Sequence, residues 1–349
     1  MPSKLRKTMK KLFDAEASDD NIKVIGGETT NLLNLENIRF QWAHDIFDSI
    51  FANNWLPHKV SMGEDKNQYK YLTPEEQGAF NDVISFLVFL DSIQTNNLPN
   101  LANYITAPDI TYVLARQTYD EAIHSKSYGW IGSSIFTHSE FEKIVYKWRE
   151  GGVLLDRIDQ ITSGYQEFLD NPTDEEFILV AVKNYLLEGL YFYNGFQLFH
   201  NLASRGLMVG TQTQISYIQR DELAHCNIFK NILNEIAKEN PELWEKLQPK
   251  IYELFKEAVQ WEIEFSAEVI GDKILGMTTQ SITDYAHHLA NKRLKDIKMD
   301  QIFPKTKNPY THLEMIAGID DETTTRANNF EVTSIQYKNA SILDGWSDL

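Results

Sequence analysis

Two stretches of this chain, Asp120-Glu121-Ala122-Ile123-His124 and Asp221-Glu222-Leu223-Ala224-His225, share the spacing Glu-x-x-His. Along an α-helix three residues turn through about 300° and climb roughly 4.5 Å, so the carboxylate and the imidazole leave the same side of the rod. That side can hold a metal ion. One such pair is weak, because Glu and His fall three apart on many solvated faces. Both pairs here lie in long segments striped with apolar residues, where a charged side chain needs a partner or an ion. The pattern asks for a fold that sets two helices face to face, with further carboxylates completing the set.

Two lone acids answer that description. Thr73-Pro74-Glu75-Glu76 is a helix start twice over, a Thr-x-x-Glu capping box with proline at the first helical position. The predicted helix runs through Phe80, Val83, Ile84, Leu87, Val88 and Leu90 to Asp91. Thr173-Asp174-Glu175-Glu176 repeats the capping pattern and starts one long predicted helix through Tyr185, Leu186, Glu188, Phe192, Phe196 and Leu198. Asp91 and Glu188 are acids in oily surroundings, hence exposed, paired or bound to a metal. Phe192 and Phe196 follow Glu188 at i+4 and i+8, a dry wall on its own face. Tyr128 lies one turn beyond His124 on the ligand stripe, and Ile218 one turn before Glu222.

The rest of the chain reads as more helices. One is expected over residues 37–51, stopped by Trp55-Leu56-Pro57. Residues 100–107 read as a connection before Pro108 opens the Glu121 helix. Shorter helices over 131–166 break at Gly151-Gly152, and further ones span about 241–270 and 283–297. His287 and His288 have no carboxylate spacing and read as surface or packed residues. With only 17 glycines and 10 prolines in 349 residues and a recurring 3.6 period, the fold class is all-α. A net charge of −17 argues against a general nucleic-acid binder, and no apolar run reaches transmembrane length. The basic start (Lys4, Arg6, Lys7, Lys10, Lys11) lacks the apolar run of a secretory signal. Cys226, the single cysteine, excludes an internal disulfide and fits a reducing cytosol; it reads as a packed thiol.

Asp91, Glu121, His124, Glu188, Glu222 and His225 together offer four carboxylates and two imidazoles. Four carboxylates neutralise two divalent ions, and oxygen donors with one nitrogen per ion suit iron or manganese. Ligating histidines normally give their second N–H to an outer acceptor. Asp221 is the candidate, and it would bridge to Trp55. Four helices, two of them Glu-x-x-His, are the donor pattern of ferritin-like di-metal bundles.

The segments Phe89-Leu90-Asp91-Ser92-Ile93-Gln94, Glu121 to Tyr128, Glu188-Gly189-Leu190-Tyr191-Phe192-Tyr193 and Arg220 to His225 resemble the small, radical-bearing subunit of class I ribonucleotide reductase. The resemblance implies a ferritin-like bundle with a dinuclear centre. Asp91, Glu121 and His124 would bind one ion, Glu188, Glu222 and His225 the other, with Glu121 and Glu222 bridging. It further implies that Tyr128 holds the radical within an apolar pocket of Phe192, Phe196 and Ile218. Trp55, Asp221 and the tail residue Tyr337 would carry the oxidising equivalent to a large subunit, which the last residues dock. The stretch from Glu188 to Phe196 is similar to the branch that includes chlamydial enzymes, whose centre is manganese-iron and whose radical tyrosine is replaced. Tyrosine at 128 and aspartate at 91 favour two irons, with Mn/Fe and Mn/Mn open. The expectation is a cytoplasmic homodimer. Residues 1–30 would form a flexible arm, 31–300 the di-metal domain and 301–349 a linker and docking tail. A stand-alone di-metal oxidase, which would not need the tail, and an iron-storage shell are the competing readings.

Overall fold

The computed structural model describes residues 10–318, and its regular structure is helical, with no strand among the described residues. In chain order the helices are α1 (Gln41–Ala52), α2 (Asp65–Tyr69), α3 (Pro74–Tyr104), α4 (Pro108–Ile135), α5 (His138–Val145), α6 (Val153–Asp170) and α7 (Asp174–Leu186). A π turn, Leu187–Tyr191, leads into α8 (Tyr193–Ser204), followed by α9 (Val209–Glu239), α10 (Pro241–Val269), α11 (Thr279–Asp296) and α12 (Thr311–Ala317). None is long and apolar enough to cross a membrane.

Four rods close the central ring. α3 packs on α4, α4 on α9, α9 on the α7–α8 rod, and that rod on α3. The interior is filled by Phe80, Val83, Leu87 and Leu90 from α3, Val113 and Ile131 from α4, Phe192, Phe196 and Phe199 from the α7–α8 rod, and Ile215, Ile218 and Phe229 from α9, all essentially sealed from solvent. α1 lies across α4 and α9, while α6, α10 and α11 cover the outer side of α7 and the π turn. Helix starts follow the residues that predicted them. Thr73 accepts from the Glu76 N–H and its own N–H donates to the Glu76 carboxylate, at 3.2 and 2.9 Å. The Thr173 hydroxyl likewise accepts from the Glu176 N–H at 3.2 Å.

Four expectations change. The connection drawn at residues 100–107 shrinks to 105–107, because α3 continues through Pro99 to Tyr104. The backbone bond that proline forgoes is offset by burial of Leu98, Leu101 and Tyr104, the last stacked on Phe177 and bonded to Asp174. The single helix expected from Thr173 to Leu198 is interrupted by the π turn at Glu188. Near the N-terminus, Val24 and Ile25 are buried rather than loose. The Val24 N–H donates to Glu239 and its carbonyl accepts from the Thr106 N–H, each at 2.9 Å. Past Ile302 order persists: Tyr310 and Leu313 are buried, and α12 is tied down by the Tyr285 hydroxyl donating to Glu314 at 2.6 Å. Tyr337 and the apolar terminus lie outside the described residues.

Candidate metal centre

Each rod delivers its donors to the same place. Asp91 comes from α3, Glu121 and His124 from α4, Glu188 from the π turn, and Glu222 and His225 from α9; all six are fully buried. Their ligand atoms form two overlapping clusters, Asp91, Glu121, His124 and Glu222 in one and Glu121, Glu188, Glu222 and His225 in the other, each with donors within 4.8 Å of one another. Glu121 and Glu222 belong to both. Glu121 turns one oxygen toward His124 Nδ1 (3.6 Å) and the other toward His225 Nδ1 (3.3 Å). Glu222 does the same at 3.0 Å on each side. Each of these two carboxylates thus faces both imidazoles.

Asp91 Oδ2 lies 3.9 Å from His124 Nδ1, and Glu188 Oε2 lies 3.8 Å from His225 Nδ1, so each outer carboxylate serves one side. Among the described residues, both oxygens of Asp91, Glu121 Oε2, His124 Nδ1, Glu188 Oε2 and Glu222 Oε1 are buried without an aligned hydrogen bond, and they face one another instead. Four carboxylates held this closely in a dry interior repel strongly unless cations sit among them. Burial pushes Asp91 and Glu188 well above the usual carboxylate range. Burial also opposes charge on Glu222 and on the histidines, yet the neighbouring imidazoles hold Glu222 low. The carboxylates around them, Asp221 first for His124 and Glu222 first for His225, raise both histidines. This lattice of shared charge is what two divalent ions replace, and the donors fit such a pair.

The outer partners cross over. His124 Nε2 faces Asp221 Oδ2 at 3.3 Å, and His225 Nε2 faces Asp120 Oδ2 at 3.5 Å. Each Asp-Glu-x-x-His helix thus supplies the backing carboxylate for the other helix's histidine. An arginine stands behind each aspartate, Arg116 on Asp120 at 2.7 Å and Arg220 on Asp221 at 3.1 Å. The Trp55 indole N–H donates to the same Asp221 oxygen at 2.7 Å, with the Trp55 and His124 rings 6.4 Å apart. A continuous bonded path therefore runs His124, Asp221, Trp55.

Tyr128 is sealed from solvent beside the Asp91 carboxylate. Burial, then the adjacent Asp91 carboxylate, pushes its phenol well above the ordinary tyrosine value, so it stays protonated. Phe192, Phe196 and Ile218 are equally buried, and the two phenyl rings stack 5.5 Å apart.

Sequence reasoning missed the amides. Gln94, Gln117 and Asn184 all donate to Glu188 Oε1, Gln117 at 2.9 Å and Asn184 at 3.3 Å. That leaves Oε2 as the free donor. Asp120 was missed as well, although the repeated aspartate before each Glu-x-x-His signalled it.

A ring of four helices enclosing carboxylates and two histidines defines a ferritin-like di-metal bundle. The family described as ribonucleotide reductase, small chain, matches residues 32–309, and the chain belongs to that family, the small subunits of an oxidoreductase. It is 34% identical over 342 residues to the ribonucleoside-diphosphate reductase subunit beta of Halalkalibacterium halodurans, covering 97% of this chain and 98% of the relative. Identity to the Treponema pallidum subunit beta is 33%, covering 92% of each. The ribonucleotide reductase R2 subunit from Clostridium botulinum superposes with a TM-score of 0.87 at 36% identity, over 89% of this chain and 98% of that one.

Proposed function

We propose that this small chain generates a radical at its di-metal centre, stores it on Tyr128 and passes it to a large partner subunit that reduces ribonucleotides. The observation that supports this reading is the shared pair of carboxylates: Glu121 and Glu222 each present one oxygen to His124 and one to His225. Asp91, Glu121 and His124 would hold one ion and Glu188, Glu222 and His225 the other. Carboxylates with a single nitrogen per ion support iron, with manganese in one or both places open. A pair of such ions, when bound, supplies one-electron oxidation driven by dioxygen.

The chain's own residues do the rest. Losing an electron obliges Tyr128 to release its phenolic proton, and Asp91 is the adjacent carboxylate to take it. The buried surroundings of Tyr128, with Phe192, Phe196 and Ile218 as the pocket, exclude the water and reductants that would quench a phenoxyl radical. For export, the bonded path from His124 through Asp221 ends on Trp55, an oxidisable ring, and Tyr337 is the next stepping stone. Residues after Thr333 would dock the large subunit. A homodimer in the cytosol completes the proposal. The buried free thiol of Cys226 suits a reducing compartment.

The test is Tyr128→Phe. After metal loading and exposure to oxygen, wild type should show a sharp organic radical by electron paramagnetic resonance, and the variant should bind the same metal without that signal. An unchanged radical spectrum in the variant would show that the assignment is wrong.

A further inference from the structure

The π turn Leu187–Tyr191 carries Glu188. Inserting one extra residue turns everything beyond it by about 100° relative to a plain α-helix. Reverting the turn would therefore rotate Glu188 against the Phe192 and Phe196 face, and one of the two would leave the interior. Something must hold this register.

Arg293, buried in α11, reaches it at three points. Its Nε donates to the Gly189 carbonyl at 3.1 Å, its Nη2 donates to the Tyr193 hydroxyl at 3.2 Å, and its own carbonyl accepts from the Tyr185 hydroxyl at 3.2 Å. Tyr185, Gly189 and Tyr193 are four residues apart, so one residue clasps the end of α7, the middle of the π turn and the start of α8. Gly189 makes this approach possible: a Cβ there would lie 2.6 Å from Arg293 Nε and 3.0 Å from Cys226 Sγ. Among the described residues the carboxylate recorded beside the guanidinium is Asp296, at 3.8 Å. Burying an arginine is costly without close partners, and its bonds go to Gly189 in the π turn and to Tyr193 at the start of α8.

We infer that Arg293 is a positioning residue, a splint that fixes the register of the π turn and so aims Glu188 at the ion shared with Glu121, Glu222 and His225. The inference rests on the two-ion reading above. Arg293→Met removes the donors at similar length, and Gly189→Ala displaces the guanidinium from the turn while keeping the arginine in the chain. Arg293→Lys keeps the charge but not the fork. Each protein, stripped and reloaded with Mn(II), is assayed for ions per chain and for magnetic coupling between them by electron paramagnetic resonance, with helicity followed by circular dichroism.

Wild type should bind two coupled ions. Arg293→Met and Gly189→Ala should keep their helicity and one ion but hold the second about 10–100-fold more weakly, giving an uncoupled Mn(II) spectrum, with Arg293→Lys in between. Two ions of unchanged affinity and coupling in both variants would overturn the splint. So would loss of both ions in step with helicity, which would make Arg293 a fold element only. A wild type that fails to bind two ions would instead sink the di-metal reading itself.

Discussion

Asp120 and Asp221 show how much one side chain decides at this centre. Each sits one residue before a glutamate of the cluster yet faces the histidine of the opposite helix. An aspartate so placed fixes the imidazole's tautomer and orientation and strengthens it as a donor. Asp120→Asn should therefore weaken the ion on the His225 side about 10–100-fold in a metal titration, leaving the Trp55–Asp221 bond intact. Unaltered affinity would mean that Asp120 serves Arg116 alone. His200 governs a different property. Sealed in α8 with Nε2 2.7 Å from Gln219 Oε1, it is lowered by burial from 6.5 to about 4. Because the folded value lies below the unfolded one, its contribution to stability is whole above pH 6.5. It drains as the unfolded chain takes up a proton the folded chain refuses, and it levels off below about pH 4. The full loss is roughly 3 kcal/mol, of which about 2 is gone at pH 5. His200→Gln keeps an N–H for Gln219 and should shrink the difference in urea-unfolding free energy between pH 7 and pH 5 by that amount. A variant with the parent's pH dependence would refute this.

Among the elements, legibility tracked how local the controlling forces are. The start of α3 was readable because its caps bond within one turn. The persistence of α3 past Pro99 was not, since it depends on Tyr104 meeting Phe177 from a distant helix. The π turn was invisible for the same reason: its bracing residue stands far along the chain in α11. The seat of α5 against α4 is likewise a matter of contact. A Cβ on Gly132 would lie 2.3 Å from the Phe141 ring, so Gly132→Ala should displace α5 and cost about 1–3 kcal/mol by calorimetry. Bound metal should be unaffected, because α5 supplies no donor; a variant that loses metal would couple α5 to the centre.

At the scale of the whole molecule, the centre and the tail are expected to be separable. The six candidate donors belong to rods that pack on one another among the described residues. A chain truncated after Thr333 should load metal as the full chain does and form the Tyr128 radical. Nucleotide reduction with the large subunit added should be lost. Full turnover by the truncated chain would remove Tyr337 and the terminal segment from the proposed mechanism.

By itself the sequence determined the helical class and the family and singled out six candidate donors in order, because a 3.6-residue period and a spacing of three are properties of neighbours along the chain. Only the tertiary structure decided that the aspartates cross over, that three amides cap one oxygen of Glu188 and that Arg293 clasps the turn bearing it. These depend on which side chains meet once the interior closes, and burial makes each such meeting costly to leave unsatisfied.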